Sequence, residues 1–513
     1  MKASRIFVAG AALFITLVCW SLSSPINSHQ DEKFHLASIW CADGFSDDCD
    51  YQGRSETGVE TVLIDANLCT PANTEETENK RLLVHRNSGD CKFEATENEP
   101  LQKMSVSPNF FHETDTQISA WIQPGNTPSF YYKTLNFFDS SDKEQSVVQF
   151  RIVNSLLFVL LLIVFLLVSD QFIRSRALFG LLVTFSPHGL FLVSSVSNSS
   201  WSYAGCSLSW AFLYALLNQP VQFNWKTGIT IFGWFFSNGL TILSRYDSII
   251  YLVGTNLIVL ILKIYTTNKH RKEYLAIFFA ACSFIALAAW IWRNKFQPVV
   301  PTTVTPSNGL TDLLIAFGNA LKLFIAIPMR IFGLQAPGWG PLEASTTVFL
   351  TNSIFLVPIV FVLLREIQRT QTFTLLLSFG FLFSVYLLQT YLRRDWTTPF
   401  YLVRTSWRGD QFFTRYFIPY FPFLFGSICI VSDKFHAIST NSKFRTSLLA
   451  VLILTHSITL FDIGGVFRQN PSWYWQKFPI EINEVLLVGI ISFISFLYFV
   501  IFPSSNGEIV NNE

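Results

Sequence analysis

The sequence has little charge for its length. Only 14% of its 513 residues are charged, against about 25% in an ordinary soluble globular domain. Methionine is also scarce, with 3 residues against 52 phenylalanines. The mean hydropathy is +0.37 and long apolar runs are present, which excludes a disordered, collagen-like or ordinary cytosolic protein. The composition predicts a polytopic membrane protein.

The signatures of common soluble enzymes are missing from the sequence. It contains no glycine-rich strand-to-helix turn, P-loop, HExxH zinc motif, CxxC pair or nucleophile elbow. No pattern typical of nucleic-acid binding is present either. Any chemistry must therefore come from polar groups at the membrane boundaries.

The formal net charge of +1 conceals two regions of opposite sign. Residues 26–150 hold 21 acidic and 9 basic side chains, a net of −12, which leaves +13 for the rest of the chain. Because basic residues favour the cytoplasmic side of a membrane, this division predicts an exported acidic loop on a basic helical body.

Apolar runs divide the chain into a membrane body and one inserted loop. The run at 6–22 follows Lys2 and Arg5 and is predicted to be an uncleaved signal anchor rather than a signal peptide. The predicted divisions are residues 1–23 (first transmembrane helix), 24–148 (extracytoplasmic loop domain), 149–503 (multi-helix membrane domain) and 504–513 (short cytoplasmic tail).

Twelve further runs lie near the spanning length: 152–169, 177–196, 201–218, 227–243, 248–263, 274–292, 312–332, 347–364, 372–391, 412–431, 446–463 and 484–502. The basic clusters share the cytoplasmic side only if the run at 312–332 does not cross, so we interpret it as an amphipathic or re-entrant helix on the outer side. The prediction is an all-α polytopic membrane protein with about twelve transmembrane helices and both termini inside.

Four cysteines lie in the exported loop: Cys41, Cys49, Cys69 and Cys91. In an oxidising compartment they predict two disulfides, although the sequence allows three pairings. Cys41–Cys49 with Cys69–Cys91 is favoured because it closes short loops. Free thiols or a metal site remain the alternatives.

The first candidate site directly follows the first helix. Asp31 and Glu32 are adjacent carboxylates flanked by the imidazoles of His29 and His35. Such a group suits a general base or a divalent-cation site, and partial desolvation beside a second carboxylate would raise the pKa of the base. The alternative is a solvated acidic stretch in an acidic loop.

The second candidate is a set of cations and aromatic side chains on the predicted outer side, where arginine runs against the usual charge bias. Its members are Arg393, Arg394, Trp396, Arg404, Trp407, Arg408, Arg415, Tyr416 and, at another boundary, Arg245. A guanidinium binds phosphate oxygens as a fork, so anion binding is one interpretation. Interfacial snorkelling is the other, and Arg245 could instead pair locally with Asp247.

Two outer loops complete the candidates. Residues 333–345 are rich in Gly and Pro and contain Trp339 and Glu343, which could line a sugar site or simply form a turn between helices. Asn198 lies in a Ser/Asn stretch before a predicted span, where it could hydrogen-bond a ligand or cap a helix.

Taken in order, these patterns resemble the bacterial membrane-protein family labelled domain of unknown function 2142, which is grouped with the GT-C glycosyltransferases. The matching features are Asp31, Glu32 and His35 after the first helix, the stretch 195–200, Gly338, Trp339 and Glu343, and Arg415, Tyr416, Phe417 and Pro419 opening a late span. One departure is Gln411, which is displaced by two positions from the place where the family tends to have Gln-Gly.

The resemblance implies a GT-C fold and a polyprenyl-phosphate-linked sugar donor that enters laterally from the outer leaflet. It implies that Asp31 deprotonates an acceptor hydroxyl and that Glu32 orients it or shares a divalent cation, Mg²⁺ or Mn²⁺. It further implies that Arg415, with Arg408 or Arg245, holds the phosphate. The expected partners are the lipid bilayer, the lipid-linked sugar and an extracytoplasmic envelope glycan. The expected location is the bacterial inner membrane.

Two other functions fit the sequence. A transporter or flippase for lipid-linked glycan would be expected to carry ionisable groups within its spans, whereas here they collect at the boundaries. A non-catalytic envelope assembly subunit would use the acidic loop to bind a partner protein.

Overall fold

The computed structural model describes residues 3–24, 32–43, 49–54, 60–65, 69–71, 84–86, 113–114, 117–122, 129–185, 187–218, 224–245, 248–266, 317–318, 369–392, 420–431, 442–469 and 482–501. The predicted runs at 274–292 and 347–364, and nearly all of 312–332, lie outside these residues.

Helices make up most of the described chain. They are α1 (Ala3–Ser23), α2 (Glu32–Trp40), α3 (Ser129–Asn136), α4 (Lys143–Val168), α5 (Gln171–Thr184), α6 (Pro187–Val193), α7 (Asn198–Asn218), α8 (Trp225–Ser244), α9 (Ile249–Thr266), α10 (Arg369–Leu392), α11 (Phe421–Val431), α12 (Ser442–Gln469) and α13 (Ile482–Ile501). The predicted domain boundary at 148/149 falls inside α4, because that helix begins six residues earlier.

Short strands lie between α2 and α3, within the predicted loop domain. They are β1 (Cys49–Arg54), β2 (Glu60–Asp65), β3 (Cys69–Pro71), β4 (Val84–Arg86), β5 (Glu113–Thr114) and β6 (Gln117–Ile122). One antiparallel sheet has the order β1-β2-β6-β5, with Leu63 opposite Ser119, and β3 pairs with β4. The all-α class therefore describes the apolar helices, and the sheet is an addition that the sequence analysis did not predict.

A disulfide joins the end of α2 to the sheet. Cys41 and Cys49 are bonded, with their Cα atoms 5.7 Å apart, which confirms the first half of the favoured pairing. Cys69 begins β3, and Cys91 lies outside the described residues, so the second disulfide remains a prediction.

The first and last helices pack antiparallel. Arg5, near the start of α1, donates to the carbonyl of Phe499 at 3.0 Å, near the end of α13. Farther along, the hydroxyls of Thr16 and Ser492 are 3.1 Å apart. The start of the first helix and the end of the last therefore lie at the same end of the bundle, as the predicted placement of both termini on one side requires.

The predicted span at 177–196 is wrong as a single helix. α5 ends at Thr184, and α6 runs from Pro187 to Val193. Proline has no N–H to donate to the preceding turn and disfavours helical geometry in the residue before it, so the helix breaks there. The break separates α5 from α6 within one continuous apolar run.

The number of spans is only partly established. Among the described residues, three helical segments are long and apolar enough to cross a membrane: Ala3–Ser23, Gln145–Val168 and Ile482–Ile501. Shorter apolar helices are Ile249–Ile264, Thr372–Ser384, Pro422–Val431 and Arg445–Phe461. The figure of about twelve spans remains a prediction.

α7 lies at the centre of the bundle and is buried along nearly its whole length. Hydrogen bonds link this helix and its neighbours: Ser202 in α7 donates to Ser248 at 2.6 Å, and Asn256 in α9 donates to Asn238 in α8 at 3.1 Å. In an apolar surrounding such bonds join helices where the hydrophobic effect does not. They hold α7, α8 and α9 together at the end of the bundle where the candidate site lies.

Close backbone packing of α5 against α11 provides a test of the fold. Gly180 faces the backbone of Gly426, and a Cβ at position 180 would collide with it. We expect Gly180→Val to destabilise the protein by about 1–3 kcal/mol, because the backbones must separate. Gly239→Ala in α8 is the control, since a Cβ there meets open space. Equal thermal unfolding of the two variants in detergent would contradict this packing.

Candidate functional site

The site is built around the serine turn. We define this turn as residues 194–200, which run from the end of α6 into the first three residues of α7. Its hydroxyls bond to nearby backbone: Ser194 donates to Leu190 at 2.9 Å, and Ser200 donates to Val193 at 3.0 Å. Serine side chains compete with helical bonding in this way and favour turns. The sequence Ser194 to Ser200 therefore ends α6 and starts α7 in a compact, buried turn.

A buried ion pair connects α2 to this region. Arg151 of α4 donates from Nε and Nη2 to Glu32 Oε1, at 3.1 and 2.9 Å, and from Nη2 to Oε2 at 3.0 Å. The two side chains are 1% and 0% exposed. The backbone N–H of Val196 also points to Glu32 Oε1, at 3.4 Å. Glu32 thus joins α2, α4 and the serine turn.

The same guanidinium holds the end of the first helix. Arg151 Nη1 donates to the carbonyl oxygens of Ser21, at 2.9 Å, and Ser24, at 2.5 Å. Carbonyls in the last turn of a helix have no partner within it, and the helix dipole makes that end negative. A cation is therefore well placed at the end of α1.

His35 links α2, α3 and the serine turn. Its Nδ1 is 3.0 Å from the hydroxyl oxygen of Tyr132, and its Nε2 is 3.4 Å from that of Ser197. Its ring also stacks on Tyr132, with the centroids 6.0 Å apart. Each hydroxyl can donate or accept, so the pocket accommodates either neutral tautomer of the imidazole.

Asn154 of α4 is a second hub beside the turn. Its Nδ2 donates to the Ser195 carbonyl at 2.8 Å and to the Tyr131 hydroxyl at 3.3 Å, and its Oδ1 accepts from Trp201 Nε1 at 2.8 Å. Burial raises the pKa of the Tyr131 phenol well above its ordinary value, so the phenol stays neutral. α3 is thereby docked on the membrane helices by a neutral polar network.

Asn198, at the start of α7, is buried, but its Oδ1 has no hydrogen-bond partner among the residues that the structure describes. The capping role considered for it is taken by Ser197, whose Oγ accepts from the Ser199 N–H at 3.2 Å and whose carbonyl accepts from the Ser200 N–H at 2.9 Å. Buried carbonyl oxygens are nearly always bonded, so an unpaired one points to a bound water or ligand.

Arg245 reaches the same turn from the end of α8. Its Nη1 donates to the Ser199 hydroxyl at 2.6 Å, and its side chain is half-buried. Asp247, its predicted local partner, lies outside the described residues. The N-terminal end of α7 and this guanidinium both favour a negative group nearby.

The structure therefore brings together four of the predicted site residues, namely Glu32, His35, Asn198 and Arg245. The other candidates lie outside the described residues: Asp31, Trp339, Glu343, Arg408, Arg415 and Tyr416. Asp31 directly precedes Glu32 in the chain.

Sequence reasoning missed Arg151 and Asn154. The sequence did contain a signal for Arg151, because this residue directly precedes the apolar run at 152–169 on the predicted outer side. Arginine is unusual on that side, so its presence there indicates a local partner. Nothing in the sequence identified Asn154, whose role depends on three partners distant along the chain.

The predicted cation site at Asp31 and Glu32 is restricted by this geometry. Both oxygens of Glu32 accept from Arg151, so a metal ion there would have to compete with a guanidinium. Within the described parts of the chain, no group of three His, Cys, Asp or Glu side chains could hold a metal ion.

Comparison with known proteins gives one result. The family model described as "Predicted membrane protein (DUF2142)" matches residues 14–424, which is most of the chain. No curated protein and no solved structure matches it.

The buried ion pair can be tested by a double-mutant cycle on Arg151 and Glu32. We expect Arg151→Met or Glu32→Leu alone to cost about 3–5 kcal/mol of stability, because each leaves a buried charge unpaired. The double variant should recover much of that loss. Unfolding in detergent measures the coupling.

Asp139 and Lys143 provide the control cycle, as a partly exposed pair 2.7 Å apart whose coupling should stay below about 1 kcal/mol. A coupling for Arg151 and Glu32 as small as that of the control pair would show that the buried pair is not formed.

Proposed function

We propose, from the premise that this chain belongs to the DUF2142 family of membrane proteins, that it is a membrane glycosyltransferase of GT-C type. It transfers a sugar from a polyprenyl-phosphate-linked donor to an envelope glycan or another acceptor on the outer face of the bacterial inner membrane. The observation that carries the proposal is the meeting of α2, α4, α7 and α8 at the serine turn.

The convergence supports a shared site because the contributing residues are far apart in sequence. Glu32 and His35 belong to the first exported helix, Asn198 starts α7, and Arg245 ends α8. All four contact or form part of the serine turn, and all were selected from the sequence for chemistry rather than for packing. A bundle stabilised only by apolar contacts has no need for such a polar junction.

The proposed reaction is a direct displacement. Asp31 accepts the proton of an acceptor hydroxyl, and the hydroxyl oxygen forms a bond to the anomeric carbon of the donor. The bond from that carbon to the phosphate oxygen breaks, and its electron pair leaves with the polyprenyl phosphate. One inversion at the anomeric carbon follows.

Cations at the site balance the charge that develops on the leaving phosphate. Arg245 supplies one guanidinium at the serine turn, next to the N-terminal end of α7. Arg408 and Arg415, with Tyr416, are proposed to supply the rest, and Trp339 and Glu343 to contact the sugar. Glu32 orients the site through Arg151, since its oxygens are already bonded.

Asn198 is proposed to accept a hydrogen bond from a hydroxyl of the substrate. Among the buried side-chain nitrogen and oxygen atoms of the serine turn, this oxygen is the one that the described residues leave without a hydrogen bond. A substrate hydroxyl would remove the cost of burying that oxygen, which is about 1–3 kcal/mol.

Asp31→Asn tests the transferase assignment. We expect the variant to lose about 10²–10⁴-fold in turnover, because the amide cannot accept the proton. Purified protein in proteoliposomes is given a panel of polyprenyl-phosphate hexoses, and release of polyprenyl phosphate is measured. Asp43→Asn, at the far end of α2, makes the same charge change and should retain wild-type turnover.

Wild-type turnover by Asp31→Asn would refute the base assignment. Movement of intact lipid-linked glycan across the bilayer without release of polyprenyl phosphate would instead support a flippase.

Asn198→Ala tests the substrate contact and is paired with Asn154→Ala. Removing the Asn198 side chain, whose Oδ1 has no partner among the described residues, should leave thermal stability unchanged or raised but increase KM about tenfold. Removing the fully bonded Asn154 should cost about 1–3 kcal/mol of stability. Similar destabilisation by both variants would show that the Asn198 oxygen is satisfied and is not a ligand contact.

A further inference from the structure

We propose that Arg174 and Lys263 form a binding site for the phosphate of an anionic phospholipid, at the end of the helical bundle opposite the serine turn. The inference rests on contacts among α4, α5, α7 and α9 and is independent of the proposed function. Its ligand is a lipid of the membrane and not a substrate bound at the serine turn.

The position of the site follows from the direction of α4. Arg151, near the beginning of α4, binds carbonyl oxygens at the end of α1, and a Cβ at Gly10 of α1 would collide with Ile163 of α4. The two helices therefore run antiparallel, and the end of α4 lies beside the start of α1, where Arg5 is. Asp170 and α5 directly follow α4. The basic flank of α1 predicts that this end faces the cytoplasm.

Two cations from different helices meet one carboxylate at this end. Lys263, near the end of α9, donates to Asn218 Oδ1, at the end of α7, at 2.7 Å. Arg174, in the first turn of α5, donates from Nη2 to the carbonyl of Ser169 at 2.5 Å. The carboxylate of Asp170 interacts electrostatically with both cations. We call Asp170, Arg174 and Lys263 the cationic cluster, and it gathers the ends of α4, α5, α7 and α9.

The charges of the cationic cluster favour an anion. Two cations and one carboxylate give it a net positive charge, and Asp170 Oδ1 already accepts the Ile173 N–H at 2.8 Å as the N-cap of α5. Arg174 and Lys263 are each half-buried, so water and salt screen them less than cations on an open surface. A phosphate group offers the negative charge and the acceptor oxygens that a guanidinium and an ammonium bind.

Apolar surface beside the cluster favours a lipid over a free phosphate ion. Phe172 is 51% exposed, and Ile264, next to Lys263, is 39% exposed. The Arg176 guanidinium carbon lies 3.8 Å from the centroid of the Phe172 ring, and carbonyls at the end of α11 hold that guanidinium. An acyl chain would cover the two apolar side chains, whereas a free phosphate ion would leave them exposed. Basic sites between membrane helices bind lipid headgroups in this way.

A cluster that serves only to join helix ends predicts a different response to Asp170→Asn. Asparagine caps a helix as well as aspartate does, so this change keeps the cap of α5 and removes only the negative charge. In a purely structural cluster, the loss of that charge lowers stability and leaves lipid affinity unchanged. In a phosphate site the same change removes a repulsion, so the affinity for an anionic lipid rises.

Lipid titration of purified full-length protein in detergent tests the site. Bound phosphatidylglycerol is measured by native mass spectrometry, and phosphatidylcholine with the same acyl chains is the zwitterionic comparison. We expect Arg174→Gln and Lys263→Gln each to weaken phosphatidylglycerol binding about fivefold, because a cation near an anionic lipid surface contributes roughly that factor. Asp170→Asn should strengthen it about threefold, since one repulsive charge is removed. Phosphatidylcholine binding should change less than about twofold in all three variants.

Two control variants separate a local site from diffuse surface charge. Lys226→Gln removes an exposed cation near the start of α8, at the same end of the bundle, and Lys133→Gln removes an exposed cation in α3, at the other end. Both should leave phosphatidylglycerol affinity within about twofold of the wild type, because salt screens exposed charges. Thermal unfolding without added lipid checks that each variant is folded, and the gain expected for Asp170→Asn is one that loss of folding does not produce.

Each contrary outcome overturns a stated part of the proposal. Unchanged phosphatidylglycerol affinity in Lys263→Gln and Asp170→Asn overturns the site. A loss in Lys226→Gln as large as that in Lys263→Gln also overturns it, since binding would then follow total charge. Displacement of phosphatidylglycerol by inorganic phosphate at constant ionic strength would show that a free anion is the ligand, and would overturn the assignment to a lipid.

Discussion

The ion pair and hydrogen bonds of one guanidinium, buried where α1, α2 and α4 meet, are the interactions on which this end of the helical bundle depends. Burying an arginine is costly unless its charge is paired and its donors are satisfied. Arg151 meets both conditions, with a carboxylate on one side and two helix-end carbonyls on the other. If any of these partners is removed, the free-energy cost of burying the guanidinium is no longer offset. The contacts of Arg151 therefore favour one arrangement of the three helices.

That arrangement gathers polar side chains at one end of an apolar helical bundle. The apolar interior supplies rigidity, and the polar bonds among α7, α8 and α9 hold the ends of those helices in register. The serine turn then presents a buried amide and a half-buried guanidinium beside α2. The disulfide between Cys41 and Cys49 ties the other end of that helix to the sheet.

Much of this could be predicted from local properties of the sequence. Apolar length located most of the helices, and short spacing identified the Cys41–Cys49 pair. Chemical reasoning selected Glu32, His35, Asn198 and Arg245, which do meet. The partner of Glu32 could not be deduced, since Arg151 lies 119 residues away and only the folded chain pairs them. The break at Pro187 was hidden by continuous hydrophobicity, and the sheet by strands of at most six residues.

The site assigned to a lipid phosphate is tested most directly by cross-linking. A photoreactive polyprenyl phosphate is bound to the full-length protein in nanodiscs, and the labelled peptides are identified by mass spectrometry. We expect labelling of the peptides that contain Asn198 and Arg245, and its loss when unlabelled polyprenyl phosphate competes. Labelling confined to peptides elsewhere in the chain would contradict it.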